Sequence, residues 1–193
     1  MRDLNLTPKI RHLSNTGGAL AHGHFHYDMS RVGLGLYGVT PVPDQHVKLG
    51  LEEAMVVKAR LISVKWIEPG VGVGYGLAGQ VRRLTPTGVV QVGYADGLDW
   101  RLSQIRGSAK SAAFALYRGR PLPIIGRICM DQCILDLSRV ADEIQIGDPI
   151  LIMGNDVAHG KIGMWETSKK IGTIPYEVMT GYGKRLPRKY IRS

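Results

Sequence analysis

The amino-acid sequence predicts a mainly β fold, in which a barrel-like domain covers residues 46–193 and follows a shorter segment, 1–45, that does not form a domain alone. Three observations support this prediction. Short β-branched segments recur at regular spacing with turn residues between them. Glycine makes up 25 of the 193 residues, about twice the usual share, which indicates many tight turns. Residues 1–45 are rich in Gly, Asn, His and Pro and show only short strand-like stretches.

The predicted elements of the larger domain follow one another in a regular order. Residues 54–67 are β-branched and partly alternating, which is typical of a strand, and residues 161–171 carry apolar side chains at helical spacing. Proline and aspartate at 41–44 predict a linker in front of this domain. The other predicted strands are 88–95, the hairpin strands 112–117 and 122–125, and the strands 128–137, 149–153 and 174–180.

The composition excludes several classes of protein. Hydrophobic residues make up 44% and charged residues 21% of the chain, which is typical of a globular protein and not of a disordered one. No run of 18 apolar residues is present, so no membrane span is predicted. The first residues lack the apolar core of a secretory signal, and we therefore expect a cytoplasmic protein.

The net charge of +9 fits proteins that bind nucleic acid, anionic lipid or an anionic cofactor. The charges are dispersed, however, and the densest basic run, 184–189, is interpreted as a solvated edge. No zinc-finger, bZIP or RRM signature is present, so we expect no nucleic-acid partner. A basic nucleic-acid-binding barrel is kept only as a third hypothesis.

The two cysteines, Cys129 and Cys133, lie four residues apart in a segment that has the pattern of a strand. Four strand residues span about 13 Å, whereas a disulfide needs Cα atoms within about 7 Å of each other. We therefore expect two free thiols, as in a reducing compartment.

Several segments combine glycine with side chains that can bind a ligand or transfer a proton. Glycine amides beside a hydroxyl suit a phosphate, and a tyrosine between glycines is open to a ligand. A phenol, with a reference pKa of about 10, needs cationic neighbours to act as a base near neutral pH. Each pattern alone is also typical of an ordinary turn or strand. The segments are HLSNT at 12–16, MSRVGL at 29–34, GYG at 74–76, GYADG at 93–97, GRICMDQ at 126–132 and GTIPYE at 172–177.

Together and in this order, these segments resemble the fold-type III, pyridoxal-phosphate-dependent alanine racemases, from about residue 11 to the end of the chain. The resemblance implies a C-terminal β-rich alanine racemase domain at 46–193, preceded by the last strands of an incomplete (β/α)₈ barrel at 1–45. It also implies a homodimer in which each active site combines the barrel of one subunit with the C-terminal domain of the other.

The resemblance implies a set of residues that bind the cofactor, pyridoxal 5'-phosphate. Thr16 stands where the family places a hydroxyl on the cofactor phosphate, and Arg31 matches the arginine that faces the pyridine nitrogen. Gly33 and Leu34 match residues whose backbone amides meet the phosphate, and Tyr176 matches a tyrosine whose hydroxyl also reaches it. Because a guanidinium stays protonated, it cannot give the ring nitrogen a full proton, and the ring is a weaker electron sink.

The resemblance also implies catalytic and substrate-binding residues. Tyr75 matches the tyrosine that exchanges the α-proton on one face of the substrate, while a lysine does so on the other face. Met130 matches the residue whose backbone N–H touches the substrate carboxylate, with Asp131 beside it. Tyr94 matches a residue of the narrow entrance to the site, and Arg101 is aligned near an entrance arginine.

The family's Schiff-base lysine has no counterpart in our interpretation. Residues 56–60, Val-Val-Lys-Ala-Arg, look like the segment that carries it. They follow the phosphate-binding segments instead of preceding them, however, and the family's C-terminal domain opens with such a strand, so Lys58 is not assigned this role. We expect the earlier barrel units to be absent from this sequence, and residues 1–45 to be incompletely packed in isolation.

The resulting hypothesis is the C-terminal part of an alanine racemase, an isomerase that interconverts L- and D-alanine for cell-wall peptidoglycan, inactive alone because the lysine is absent. Two alternatives stay open: part of a serine or broad-specificity amino-acid racemase, and a non-catalytic β-domain that dimerises or pairs with a separate barrel half. No metal site is predicted. The alternating histidines 22, 24 and 26 would share one face of a strand, which suits a metal, but no carboxylate-rich cluster accompanies them, and we interpret them as exposed histidines in a loop.

Overall fold

The structure is a computed structural model that describes residues 8–43, 48–105, 107 and 113–191. The chain divides into two compact units, Met1–Ala54 and Met55–Ser193. The predicted boundary between residues 45 and 46, and the Asp44 end of the predicted linker, lie outside the described residues. No helix in the described ranges is long and apolar enough to cross a membrane.

The first unit contains a strand–helix–strand motif. Strand β1 (His12–Asn15) leads directly into helix α1 (Thr16–Ala21), and β2 (Met29–Arg31) returns parallel to β1. The Asn15 side chain accepts a hydrogen bond from the Gly18 N–H and so caps the helix. A parallel pair joined through a helix is the repeating unit of a (β/α) barrel.

The three histidines are exposed, as interpreted from the sequence, and they do not lie on a strand. A short 3-10 helix, Gly23–Phe25, occupies this segment, with His22 and His26 at its two ends. The rings of His22, His24 and Phe25 pack on one another, with centroids 4.0–5.5 Å apart. The residues described in the structure contain no group of three or more His, Cys, Asp or Glu side chains that could hold a metal ion.

The second unit is built on a largely antiparallel sheet. Its strands are β3 (Val57–Ile67), β6 (Thr85–Val90), β7 (Phe114–Tyr117), β8 (Arg120–Pro123), β9 (Cys133–Asp136), β10 (Pro149–Asp156) and β11 (Gly160–Ile162), with a separate pair β4 (Gly72–Val73) and β5 (Gly79–Gln80). The path of the sheet runs β8-β7-β10-β3-β6-β9, and β11 pairs with β10. The ends of the path meet, because Ile124 bridges Leu135 and the Ile125 N–H donates to the Ile134 carbonyl. This closure gives the barrel-like form predicted from the sequence.

The interior of the closed sheet is apolar. Side chains alternate along β3, so that Val57 and Leu61 are buried while Lys58 and Arg60 are exposed. Burial of such side chains contributes about 1.5–3 kcal/mol each. The fully buried residues of this core include Leu61, Val90, Leu122, Leu135, Leu137 and Ile150.

Three predicted strands differ from the structure. The predicted strand at 88–95 ends at Val90, because a 3-10 helix, Tyr94–Asp96, follows. The predicted strand at 128–137 is reduced to β9, since the Cys129 N–H donates back to the Gln132 carbonyl and closes a turn at 129–132. Residues 174–180 are not a strand but helix α3 (Pro175–Gly181), which follows helix α2 (Met164–Ile171).

Proline explains the third difference. Pro175 occupies the first turn of α3, where its fixed φ suits a helix and its missing N–H has no intrahelical partner to lose. The strand at 54–67, the hairpin at 112–125 and the strand at 149–153 are confirmed, with small shifts of their ends, except that residue 112 lies outside the described residues. Both cysteines are free, as predicted, and both are buried, although the turn at 129–132 replaces the extended spacing on which that prediction relied.

Candidate active site

The Thr16 hydroxyl lies at the centre of a small cluster of backbone donors in the first unit. Its Oγ1 accepts hydrogen bonds from the Gly33 N–H at 3.2 Å and from the Gly35 N–H at 3.3 Å. Thr16 is buried at the start of α1, and Leu34 is buried between the two glycines. Because the hydroxyl oxygen already accepts twice, its hydrogen is available to donate to a ligand.

Arg31 lies at the end of β2, next to β1. Its Nη1 donates to Nδ1 of His12 at 2.5 Å. A guanidinium is always protonated and has no acceptor, so Nδ1 of His12 accepts and the imidazole proton resides on Nε2. Arg31 is exposed, and the contact with His12 orients a fixed cation without neutralising it.

Tyr75 lies at the tip of a turn in the second unit. The flanking residue Gly74 has φ 75° and ψ −177°, a backbone conformation that is nearly exclusive to glycine. Tyr75 is 72% exposed, which is unusual for a large aromatic side chain. The Arg127 side chain lies against this turn, with Nη1 3.5 Å from the Tyr75 carbonyl oxygen. The turn thus presents a phenol outward with a guanidinium beside its backbone.

Met130 and Asp131 lie in the turn at 129–132, which packs against the 3-10 helix that carries Tyr94. The Tyr94 N–H donates to the Cys129 carbonyl and the Ala95 N–H to the Met130 carbonyl, both at 3.0 Å. Met130 is half exposed, and within the described ranges its own N–H donates to no other group. This amide is therefore open to an external acceptor such as a carboxylate.

Two ion pairs link the same region to the basic run near the C-terminus. Arg185 lies 3.2 Å from Asp96 through Nε and 2.5 Å from Asp131 through Nη2. Hydrogen bonding to Asp131 raises the pKa of the Arg185 guanidinium. The Arg185 side chain is 51% exposed, in keeping with the interpretation of residues 184–189 as a solvated edge, and it forms these two ion pairs in addition.

Tyr176 lies on α3 and is partly exposed. The next residue, Glu177, pairs with Arg101 at 3.2 Å and accepts a hydrogen bond from the Thr173 hydroxyl. Arg101 also pairs with Asp99 at 2.7 Å, and this contact lowers the pKa of Asp99. These ion pairs border a cleft of about 390 Å³ that Tyr94, Trp100 and Val178 also line.

The Lys58 side chain forms an ion pair with Asp156. It lies on β3 and its Nζ is 2.5 Å from the Asp156 carboxylate on β10. The hydrogen bond from Lys58 lowers the pKa of Asp156. An ammonium held by a carboxylate is a poor nucleophile, in keeping with the exclusion of Lys58 as the cofactor lysine.

Two family models match the sequence along most of its length. The alanine racemase C-terminal domain matches residues 54–190, and the alanine racemase N-terminal domain matches residues 1–41. The chain belongs to the alanine racemase family. The mainly β architecture of the second unit agrees with the match to the C-terminal domain.

This chain can be compared in length with individual alanine racemases. The alanine racemase of Desulfovibrio desulfuricans is 38% identical over 182 residues, which are 94% of this chain and 46% of that protein. The crystal structure of alanine racemase from D-cycloserine-producing Streptomyces lavendulae matches with a TM-score of 0.86 and 34% identity, covering 100% of this chain and 48% of that one. The chain therefore spans about half the length of the alanine racemases that it matches.

A third alanine racemase that matches this chain contains a bound cofactor in its crystal structure. The crystal structure of the Bartonella henselae enzyme has covalently bound pyridoxal phosphate and matches with a TM-score of 0.80 and 29% identity, over 96% of this chain and 48% of that one.

Sequence reasoning did not single out three residues that the structure places in these clusters. His12 is the partner of Arg31, Arg127 lies against the Tyr75 turn, and Arg185 bridges two acidic residues. His12 and Arg127 lie inside the motifs quoted for the alanine racemase resemblance, and that position was the available signal. Nothing in the sequence pattern distinguishes Arg185 from the basic residues around it.

Proposed function

We propose that this chain supplies the C-terminal part of a pyridoxal-phosphate-dependent alanine racemase that interconverts L- and D-alanine. The observation that carries the proposal is the exposed Tyr75 phenol, held outward on a glycine-flanked turn beside Arg127. A racemase needs a proton donor and acceptor on each face of the substrate's Cα. In this proposal the Tyr75 hydroxyl takes or gives the proton on one face.

The residues of the first unit fit the cofactor that the Bartonella henselae relative contains. Thr16, which accepts from the Gly33 N–H, has a hydroxyl hydrogen free to donate to a phosphate, and a Cβ built on Gly33 would meet no atom within 4 Å. Arg31 supplies a fixed cation for the ring nitrogen, with His12 as its support. The bound cofactor would withdraw electrons from the substrate and make its α-hydrogen acidic. Tyr176 is proposed as a further phosphate ligand.

The amide of Met130 and the carboxylate of Asp131 are proposed to receive the substrate. An N–H without an internal acceptor attracts the α-carboxylate of an amino acid. Asp131 is exposed beside it, and its negative charge suits the substrate's ammonium group. The cleft between Tyr94 and Arg101 is proposed to lie at the entrance to the site.

The second proton-transferring group, a lysine, is proposed to come from outside this chain. The relatives are about twice as long, and Lys58 is held in an ion pair. We expect the chain alone to be inactive, a separate barrel half to supply the lysine, and a homodimer to share each site between subunits, with the product supplying D-alanine for peptidoglycan in the cytoplasm. The alternative role, a non-catalytic β-domain that only pairs with such a half, predicts binding without activity.

The test measures alanine racemisation by circular dichroism with added pyridoxal phosphate. The chain is assayed alone and after co-expression with the N-terminal half of the Desulfovibrio desulfuricans relative. We expect no activity alone and activity in the complemented pair, lost in Tyr75→Phe and kept in Tyr190→Phe, which changes an exposed tyrosine near the C-terminus. Activity of the chain alone would overturn the argument about the lysine. Activity that survives in Tyr75→Phe would overturn the role of Tyr75.

A further inference from the structure

The side chain of Arg185 joins two loops of the proposed substrate site. Its Nε lies 3.2 Å from Oδ1 of Asp96, and its Nη2 donates to Oδ1 of Asp131 at 2.5 Å. We infer that Arg185 is a positioning residue, which holds the turn at 129–132 so that the Met130 N–H faces the substrate carboxylate. The catalytic part of this inference rests on the proposed function of Met130, whereas the structural part does not.

The two loops are connected through Asp96 as well as through backbone hydrogen bonds. The Asp96 side chain is only 10% exposed, and its second oxygen accepts the Gly93 N–H at 3.0 Å. Asp96 therefore shapes the loop from which Tyr94 and Ala95 donate to the neighbouring turn. Arg185 balances the charge of this nearly buried carboxylate, and a buried charge without a partner is strongly unfavourable.

The Asp131 side of the turn depends more directly on Arg185. Backbone hydrogen bonds hold the turn, because Tyr94 and Ala95 donate to the Cys129 and Met130 carbonyls and the Cys129 N–H donates to the Gln132 carbonyl. None of these bonds holds the Asp131 side chain. The ion pair with Arg185 fixes the Asp131 carboxylate. The Met130 N–H belongs to the same peptide as the Cys129 carbonyl, which Tyr94 holds, and the Arg185 ion pair braces the Asp131 side of the turn, so that this peptide keeps one orientation.

The backbone that carries Arg185 is anchored independently of its ion pairs. Tyr182 is buried, and Nη2 of Arg188 donates to the Tyr182 carbonyl at 3.0 Å. The preceding residue, Gly181, approaches Gly97 so closely that a Cβ built on Gly97 would lie 2.5 Å from the Gly181 carbonyl oxygen. Removal of the Arg185 guanidinium therefore leaves its segment in place and tests the side chain alone.

Only an arginine satisfies both partners. A guanidinium carries donors at Nε and at both Nη atoms in a rigid fork, whereas lysine has one ammonium group at the end of a flexible stem. Arg185→Lys is therefore expected to keep one ion pair and lose the other, and Arg185→Gln to lose the charge altogether. Lys184→Gln removes the same charge from the adjacent exposed residue and is the matched control.

The structural test is amide hydrogen exchange on the purified chain, followed by NMR. In Arg185→Gln the amides of Gly93, Tyr94 and Ala95 are expected to exchange about tenfold faster than in Lys184→Gln, with the amides of β3 unchanged. Asp131→Asn, which alters an exposed residue, breaks the same bridge from the other side. The effects of Asp131→Asn and Arg185→Gln on Ala95 are expected not to add in the double variant. Unchanged exchange in Arg185→Gln, or full additivity, would overturn the inference.

The catalytic test uses the complemented pair. Arg185→Gln is expected to raise KM for alanine about tenfold and to change kcat less than twofold, because the lost orientation affects substrate binding. Arg185→Lys is expected to recover part of the affinity, and Lys184→Gln to behave as the parent. An equal fall in kcat with KM unchanged would overturn the positioning role. If the complemented parent shows no racemisation, the proposed function fails, and the exchange data still decide whether Arg185 fixes the turn.

Discussion

Nη1 of Arg31 donates to Nδ1 of His12 at 2.5 Å, across the two parallel strands of the first unit. The contact links a residue at the end of one strand to a residue at the start of the other, and it fixes both the direction of the guanidinium and the tautomer of the imidazole. Because the Arg31 side chain is held in one rotamer, it can bind a ring nitrogen without losing further conformational freedom. Such preorganisation is what a binding site requires.

The first prediction concerns the His12 tautomer. We expect NMR spectra of ¹⁵N-labelled protein at pH 8 to show His12 with an unprotonated Nδ1 and a protonated Nε2, because Arg31 can only donate. Arg31→Met removes that donor. The resonances of His12 should then move close to those of a free imidazole, in which both tautomers are present. His24 is the internal reference, because its ring contacts His22 and Phe25 instead of a guanidinium. A protonated Nδ1 in the parent protein would contradict this prediction.

The second prediction concerns Gly93, which allows the two loops of the proposed substrate site to meet. A Cβ at this position would lie 2.3 Å from the carbonyl oxygens of both Cys129 and Met130. Gly93→Ala is therefore expected to force these loops apart and to lower the free energy of unfolding by about 1–3 kcal/mol, as measured by urea denaturation. Gly183→Ala is the control, since its Cβ would meet only ordinary contacts. Equal stability of the two variants would show that the loops are not closely packed.

The strands of the larger unit were predictable where local pattern and tertiary environment agree. The segment at 54–67 has a β-branched, alternating pattern, and β3 buries Val57 and Leu61 as that pattern requires. The hairpin at 112–125 has both a turn signal at 118–120 and apolar strands on either side. In these elements, the side-chain period alone decides which face is buried.

The wrong strand predictions lie where one proline, or hydrogen bonds from a distant part of the chain, decide the local structure against the side-chain pattern. Pro175 starts a helix in a segment whose apolar residues also fit a strand. The turn at 129–132 interrupts an apolar run, because Tyr94 and Ala95 supply donors from a distant part of the chain. Such long-range partners are invisible to local sequence reasoning, and for the same reason the role of Arg185 could be found only in the structure.

The third prediction concerns Lys58. Because its ammonium pairs with Asp156 at 2.5 Å, we expect pyridoxal phosphate followed by borohydride reduction to leave Lys58 unlabelled in peptide mass spectrometry of the complemented pair. Lys58→Met should keep racemisation activity. The variant should also lose the interaction that lowers the pKa of Asp156. A label on Lys58, together with loss of activity in Lys58→Met, would identify it as the cofactor lysine and refute its exclusion.

The fourth prediction concerns the buried residue His159. Its Nδ1 accepts the Arg118 N–H at 3.1 Å, so the neutral ring fits the site. Burial lowers the pKa of His159 below its ordinary value of 6.5, the carboxylate of Asp156 opposes this shift, and the charges of Lys58 and Arg118 reinforce it. The unfolded chain therefore takes up a proton at a higher pH than the folded chain does.

The free energy of unfolding should consequently be highest above about pH 7 and should fall as the pH drops from 7 towards 5, by at most about 1.4 kcal/mol per pH unit. His159→Asn keeps an acceptor for the Arg118 N–H but cannot titrate, so it should remove this slope. His22→Asn, which changes an exposed histidine of the other unit, should keep it.

Asp148 and Asp156, whose pKa values are lowered by hydrogen bonds in the folded state, contribute a separate loss of stability below about pH 5, which both variants should retain. Urea unfolding at pH 5, 6, 7 and 8 distinguishes the two ranges, and a slope between pH 7 and 5 that persists in His159→Asn would show that another group causes it.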